Sequence, residues 1–160
     1  MTQRLAEILL LVPSALSTGF LMFIAGPIQK VMNDLDEATF HRFLKLLDRR
    51  ATRSPYAVGV STVTFVGAIP YFIYYHLSNL WFSAGIFLYT VASIVSKIFN
   101  LPIYRRIFAL EENDATRLRE ERHKLQGANR LRATIQFASI VLMAIGVAKG
   151  PVPGRSIIKT

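Results

Sequence analysis

Four long apolar stretches occupy more than half of this chain, and the most uniform of them, Ser54 to Tyr75, holds no side chain that is charged at neutral pH. A helix rises about 1.5 Å per residue, so about 20 such residues cross the hydrocarbon core of a bilayer. In lipid, a helix satisfies its own backbone groups and its apolar side chains need no protein cover. The expectation is therefore an all-α integral membrane four-helix bundle with amphipathic cytoplasmic connecting helices. It forms a single transmembrane domain over residues 1–160, with spans at about 5–28, 55–76, 80–98 and 133–148.

Composition supports this medium. Apolar side chains make up 52% of the 160 residues, above the roughly 45–50% usual for soluble domains even when Gly is counted. The chain has no Cys, which removes disulfides, thiolate catalysis and cysteine-ligated metals together. Its net charge of +9 would suggest nucleic acid in a soluble protein. Here the cations flank apolar spans, so the expected partner is the lipid bilayer with its anionic headgroups, not nucleic acid. Arg4 followed by an apolar run resembles the start of a signal peptide, with Pro13-Ser14-Ala15 as its cleavage region. The apolar character continues to Ile28, however, beyond the roughly 7–15 residues of a signal core, and the segment reads as the first span.

Local chemistry refines the layout. Glu7 lies near the outer end of the first span, where a carboxylate reaches the interface; only if buried would it handle protons. Gly19 and Gly26 share one face and predict close approach of a neighbouring helix. From Asp34 to Arg53, Leu35, Phe40, Phe43, Leu44, Leu46 and Leu47 recur at amphipathic spacing, with Asn33 or Asp34 as the cap. Tyr71, Phe72, Tyr74, Tyr75 and Trp81 gather at one headgroup level around the turn His76–Asn79. So short a turn predicts that the second and third helices are antiparallel neighbours. Pro102 kinks or ends the third helix. Glu111 to Arg132 is charged, with Arg117, Glu120, Glu121 and Lys124 spaced for helical ion pairs. The fourth span is short, and works only if Arg130, Arg132 and Lys149 snorkel. The stretch from Gly150 to Gly154 ends it and the tail reads as irregular. Most Lys and Arg fall in the two long connections, which places them in the cytoplasm and both termini outside.

Among the 3 histidines, His41, His76 and His123, no two stand at metal-ligand spacing. No phosphate loop or serine-nucleophile motif is present. Phe20, Phe23, Phe65, Phe72, Phe82 and Phe87 read as core or lipid-facing side chains. Two polar groups stand out. Asn100 and Tyr104 share a face if the helix persists through Pro102, and Asn129 and Arg132 share another at the mouth of the fourth span. An Asn near the membrane needs a partner for its amide, which predicts that Asn100 meets the Asn129/Arg132 pair. Such a network either caps helices and closes the bundle or lines a ligand pocket.

Those residues also carry a resemblance. Asn100-Leu-Pro102-Ile is similar to the Asn-x-Pro-x-Asn signature of the small four-helix membrane proteins grouped as DUF1772, the anthrone oxygenase-like family. Asn129-Arg-Leu-Arg132 resembles that family's Asn-x-x-Arg element, and Gly19 to Pro27 is similar to the close of its first helix. Tyr104 replaces the second Asn, and the Trp residues that often precede the second element are missing. Members with an assigned activity oxidise polyketide anthrones to anthraquinones with dioxygen, without metal or flavin. The resemblance thus implies a cofactor-independent oxygenase acting on a lipophilic aromatic substrate. It makes His123 the base, Asn100 and Arg132 the enolate-stabilising groups, and Tyr104 and Asn129 substrate-binding residues. The alternative is a non-catalytic accessory subunit or small-ligand-binding component, assembled as a homo-oligomer or within a larger membrane complex. The two differ over the space between Asn100, His123 and Arg132: an enzyme keeps it open, a scaffold fills it.

Overall fold

The computed structural model describes residues 1–150. The expected irregular tail from Pro151 to Thr160 lies outside the described residues. Every regular element within them is helical: α1 (Gln3–Asp34), α2 (Glu37–Thr52), α3 (Pro55–Tyr75), α4 (Leu80–Ala109) and α5 (Ala115–Lys149). All but α2 are long and apolar enough to cross a membrane.

Local chemistry sets the boundaries. Thr2, Asp36, Ser54, Asn79 and Asp114 each accept a bond from a backbone N–H in the first turn of the helix that follows, satisfying one of its orphan donors. Asp36 therefore caps α2, two residues beyond the predicted Asp34. Pro55 opens α3, where its missing N–H costs nothing. Two prolines inside long helices are absorbed without a break. The wide turn Ile24–Ile28 contains Pro27, and the wide turn Ser96–Asn100 stands just before Pro102. A π-type turn accommodates a proline ring that would otherwise strike the carbonyl four residues back. The third long apolar stretch thereby runs on as helix to Ala109.

The same continuity corrects the reading of the second connection. Glu111–Arg132 is not a separate connecting helix. Its residues from Ala115 onward are the first half of α5, a single helix of 35 residues, about 50 Å long. The fourth apolar stretch is thus the second half of a helix that starts well before Ala133.

α4 and α5 form the closest pair, and α1 packs on both α3 and α5. At the α4–α5 seam a Cβ on Gly146 would stand 2.6 Å from the Phe82 backbone nitrogen, and one on Gly85 would stand 2.9 Å from the Ser139 carbonyl oxygen. Only hydrogen fits at either position. Gly19 and Gly26, expected to mark the close approach, face open space: a Cβ on either would meet nothing within 4 Å. The expected α3–α4 neighbours meet through side chains instead of backbones: Phe65 against Tyr89 at 5.5 Å between ring centroids, and Tyr71 against Phe82 at 5.0 Å.

Two apolar cores result. One, near the α3–α4 turn, gathers Ala6, Leu10, Tyr71, Phe82, Ile86 and Met143. The other, at the charged end, packs Phe40 and Leu44 of α2 onto Met32, Ile103, Ile107, Leu118 and Leu125. Arg122 secures this end, donating from Nη1 to the Leu35 carbonyl at 2.9 Å while its guanidinium lies over the Phe40 ring. Ion pairs Arg119–Glu37, Arg106–Glu121 and Lys124–Glu121 surround it.

Candidate functional site

Between the two cores lies a cavity of about 530 Å³, within the size range of small-molecule sites. All five helices line it: Ile24 and Ser17 of α1, Asp48 and Ala51 of α2, Ser61 and Phe65 of α3, Tyr89, Asn100 and Tyr104 of α4, Arg132 and Gln136 of α5. Phe65 of α3 and Tyr89 of α4, whose rings meet, both line it. Exposed Thr62 and Phe65 on α3 and exposed Lys97 on α4 mark its open side.

The polar wall is built by the two wide turns. Both pack on α5; Gln29 directly follows the first and Asn100 closes the second, and both amides meet Asn129. Asn100 donates from Nδ2 to Asn129 Oδ1 at 2.7 Å, the pairing the sequence suggests. Asn129 in turn donates to Gln29 Oε1 at 3.4 Å, and Gln29 to Asn33 Oδ1 at 3.0 Å. Gln29, Asn100 and Asn129 are all buried. One turn of helix further along, Arg132 Nη1 donates to Ser96 Oγ at 2.8 Å.

Two atoms in this wall are buried without a partner, Asn100 Oδ1 and Arg132 Nε. One is an acceptor, the other a donor on a guanidinium that forms no salt bridge with a described carboxylate. Leaving such groups unpaired costs about 1–3 kcal/mol each, more for the charged one.

Of the sequence-predicted residues, Asn100, Tyr104 and Arg132 line the cavity together. Asn129 stands immediately behind Asn100, bonded to it and buried. His123 is apart from them. It is exposed on the charged half of α5 and lines none of the described cavities. Among the described residues no group of three or more His, Asp or Glu side chains is arranged to grip a metal ion.

Asp48 is the residue that sequence reasoning missed. It belongs to the solvent-facing charges of the amphipathic α2 by spacing, yet it turns its carboxyl to the cavity rim. Burial there raises the carboxyl above its ordinary range. Gln136 and Tyr89 were equally silent, since their burial depends on helix rotation that spacing alone leaves open. His41 of α2 is buried and donates from Nε2 to the Ile107 carbonyl at 3.0 Å.

Comparison of the chain with family models, curated proteins and solved structures finds no match.

Proposed function

We propose that this is an integral membrane protein whose four long helices form a transmembrane bundle, with α2 and the α4–α5 turn in the cytoplasm. In this reading the cavity receives a lipophilic aromatic molecule from the bilayer through the gap between α3 and α4. The chain then acts as the anthrone oxygenase-like proteins it resembles, on a substrate that carries an enolisable carbonyl. The observation that supports it most is that Asn100, Tyr104 and Arg132 line one cavity together, with the Arg132 guanidinium in no salt bridge with a described carboxylate.

The chemistry asks little of the protein. A base removes the acidic benzylic proton, and the enolate oxygen rests on Arg132, where a fixed cation is worth most at the moment charge develops. The carbanion passes electrons to dioxygen, and the methylene becomes a carbonyl with loss of one water. His123 stands outside the cavity, so the base in this reading is Asp48, whose raised carboxyl suits proton abstraction better than an ordinary one.

The test is a binding titration of anthrone against purified protein in lipid nanodiscs, followed by oxygen uptake. Binding that weakens at least about tenfold in Arg132→Gln, the loss of one charge-assisted contact, supports the cavity assignment. Oxygen uptake lost in Asp48→Asn but kept in His123→Ala supports the base. Absence of saturable binding by the wild type contradicts the reading and favours the accessory-subunit alternative.

A further inference from the structure

The second polar centre lies at the opposite end, beside the α3–α4 turn, and the cavity chemistry does not use it. Glu7 is fully buried (0% exposed), not interfacial as its position near the helix mouth suggests. Three donors converge on one of its oxygens: Gln3 Nε2 at 2.9 Å, Tyr71 Oη at 3.0 Å and Asn79 Nδ2 at 3.0 Å all reach Oε1. The other oxygen, Oε2, is buried and has no partner at all. The donors are themselves held in place. Asn79 also donates to the Gly146 carbonyl at 2.9 Å, and Gln3 to Ser78 Oγ at 2.8 Å.

The groups facing Glu7 from each packed helix are uncharged. α1 supplies Gln3, α3 supplies Tyr71, and α4 supplies Asn79 and, beside Tyr71, Ser83. α5 offers the Gly146 carbonyl, while its Lys149 ammonium lies over the Trp81 ring instead. Among the described residues no cation forms a salt bridge with Glu7. A buried carboxylate oxygen without a cation or a donor is a costly arrangement, and ionisable groups placed this way within membrane spans are usually functional.

We propose that Glu7 is a proton-exchange site: Oε2 is the atom that takes up and releases a proton, while Oε1 stays fixed in its three donors. A proton fits where a metal cation does not. A sodium or potassium ion needs several oxygen ligands, and Ser83 Oγ is the one other buried oxygen of this cluster left unpartnered. The Gly146 carbonyl is already engaged by Asn79, and Gln3, Tyr71 and Asn79 turn hydrogens to Glu7, which repel a cation but leave a carbonyl-like Oε1 well satisfied. The inference is independent of what the cavity binds.

The test is infrared difference spectroscopy of the full chain in lipid nanodiscs across a pH titration, with wild type and Glu7→Gln compared. Gln keeps an oxygen for the three donors and cannot exchange the proton. The expected result is a protonated-carboxyl C=O band that titrates in the wild type, is insensitive to sodium at fixed pH, and is absent from Glu7→Gln. A titrating spectrum identical in the variant overturns the proposal, as does a band that sodium displaces. Should Glu7→Gln fail to fold, Glu7→Asp decides: a shifted band supports the assignment, an unchanged one refutes it.

Discussion

His76 ends α3 with φ of +50°, the one described non-glycine residue in that half of backbone space. Such a conformation costs an L-residue about 1–3 kcal/mol. His76→Gly is predicted to stabilise the protein by about 1 kcal/mol, read as a higher melting temperature in detergent. His41 makes the opposite kind of prediction. Burial first, then the neighbouring Lys45, holds its imidazole below its ordinary range. The folded protein thus resists a proton that the unfolded chain accepts, and stability falls as pH drops below about 6.5, the usual histidine value. Protonation would also place an N–H at Nδ1, which has no acceptor. Melting temperature should decline between about pH 7.5 and about pH 5.5, a window that brackets the ordinary histidine range, and His41→Gln should flatten that slope.

At the scale of helices, the α4–α5 seam carries the tightest packing. Gly146→Ala forces Phe82 and its backbone away and should cost about 1–3 kcal/mol, whereas Gly19→Ala meets open space and should be neutral or slightly stabilising. A denaturant series on both variants checks the contrast. The sequence pointed to Gly19 and Gly26 because their spacing fits a helical face; nothing in spacing tells which face meets a partner. The same gap hid the burial of Glu7, whose three donors come from three different helices or their caps. Patterns written in neighbouring residues were legible: the amphipathic α2, the aromatic turn, and the Asn100–Asn129 pair once two unmet amides were recognised. The short fourth apolar stretch belongs to a longer helix, because charge marks the edge of an apolar layer, not the end of a helix. Arg122, Glu121 and Leu118 belong to α5 as much as Met143 does, but they sit at the charged end, where Leu118 and Arg122 pack against α2. Asn100→Ala should expose the coupling between the wide turn and α5 by leaving Asn129 short of a donor, at about 1–3 kcal/mol, measured in the same denaturant series.

Across the whole molecule, the two cores and the layer between them divide the work. The charged end, closed by α2 and its ion pairs, packs like a small water-soluble helical domain. The other end exposes Val66, Ile69, Ile73, Phe87 and Phe137 on its outer surface, an arrangement that a lipid environment tolerates and water does not. The cavity sits where these two regimes meet, which is where an apolar molecule with one polar end is best served from both sides. The proposed membrane orientation follows from the same division, with the cation-rich cap on the cytoplasmic side.

Because the chain has no cysteine, single-cysteine labelling reads that orientation without background. Leu77→Cys in the α3–α4 turn and Asn113→Cys in the α4–α5 turn are both at exposed positions. In intact cells a membrane-impermeant maleimide should label the first and not the second, and permeabilisation should open the second to the reagent as well. Labelling of both positions in intact cells, or of neither until the protein is denatured, would contradict a bundle that crosses the bilayer.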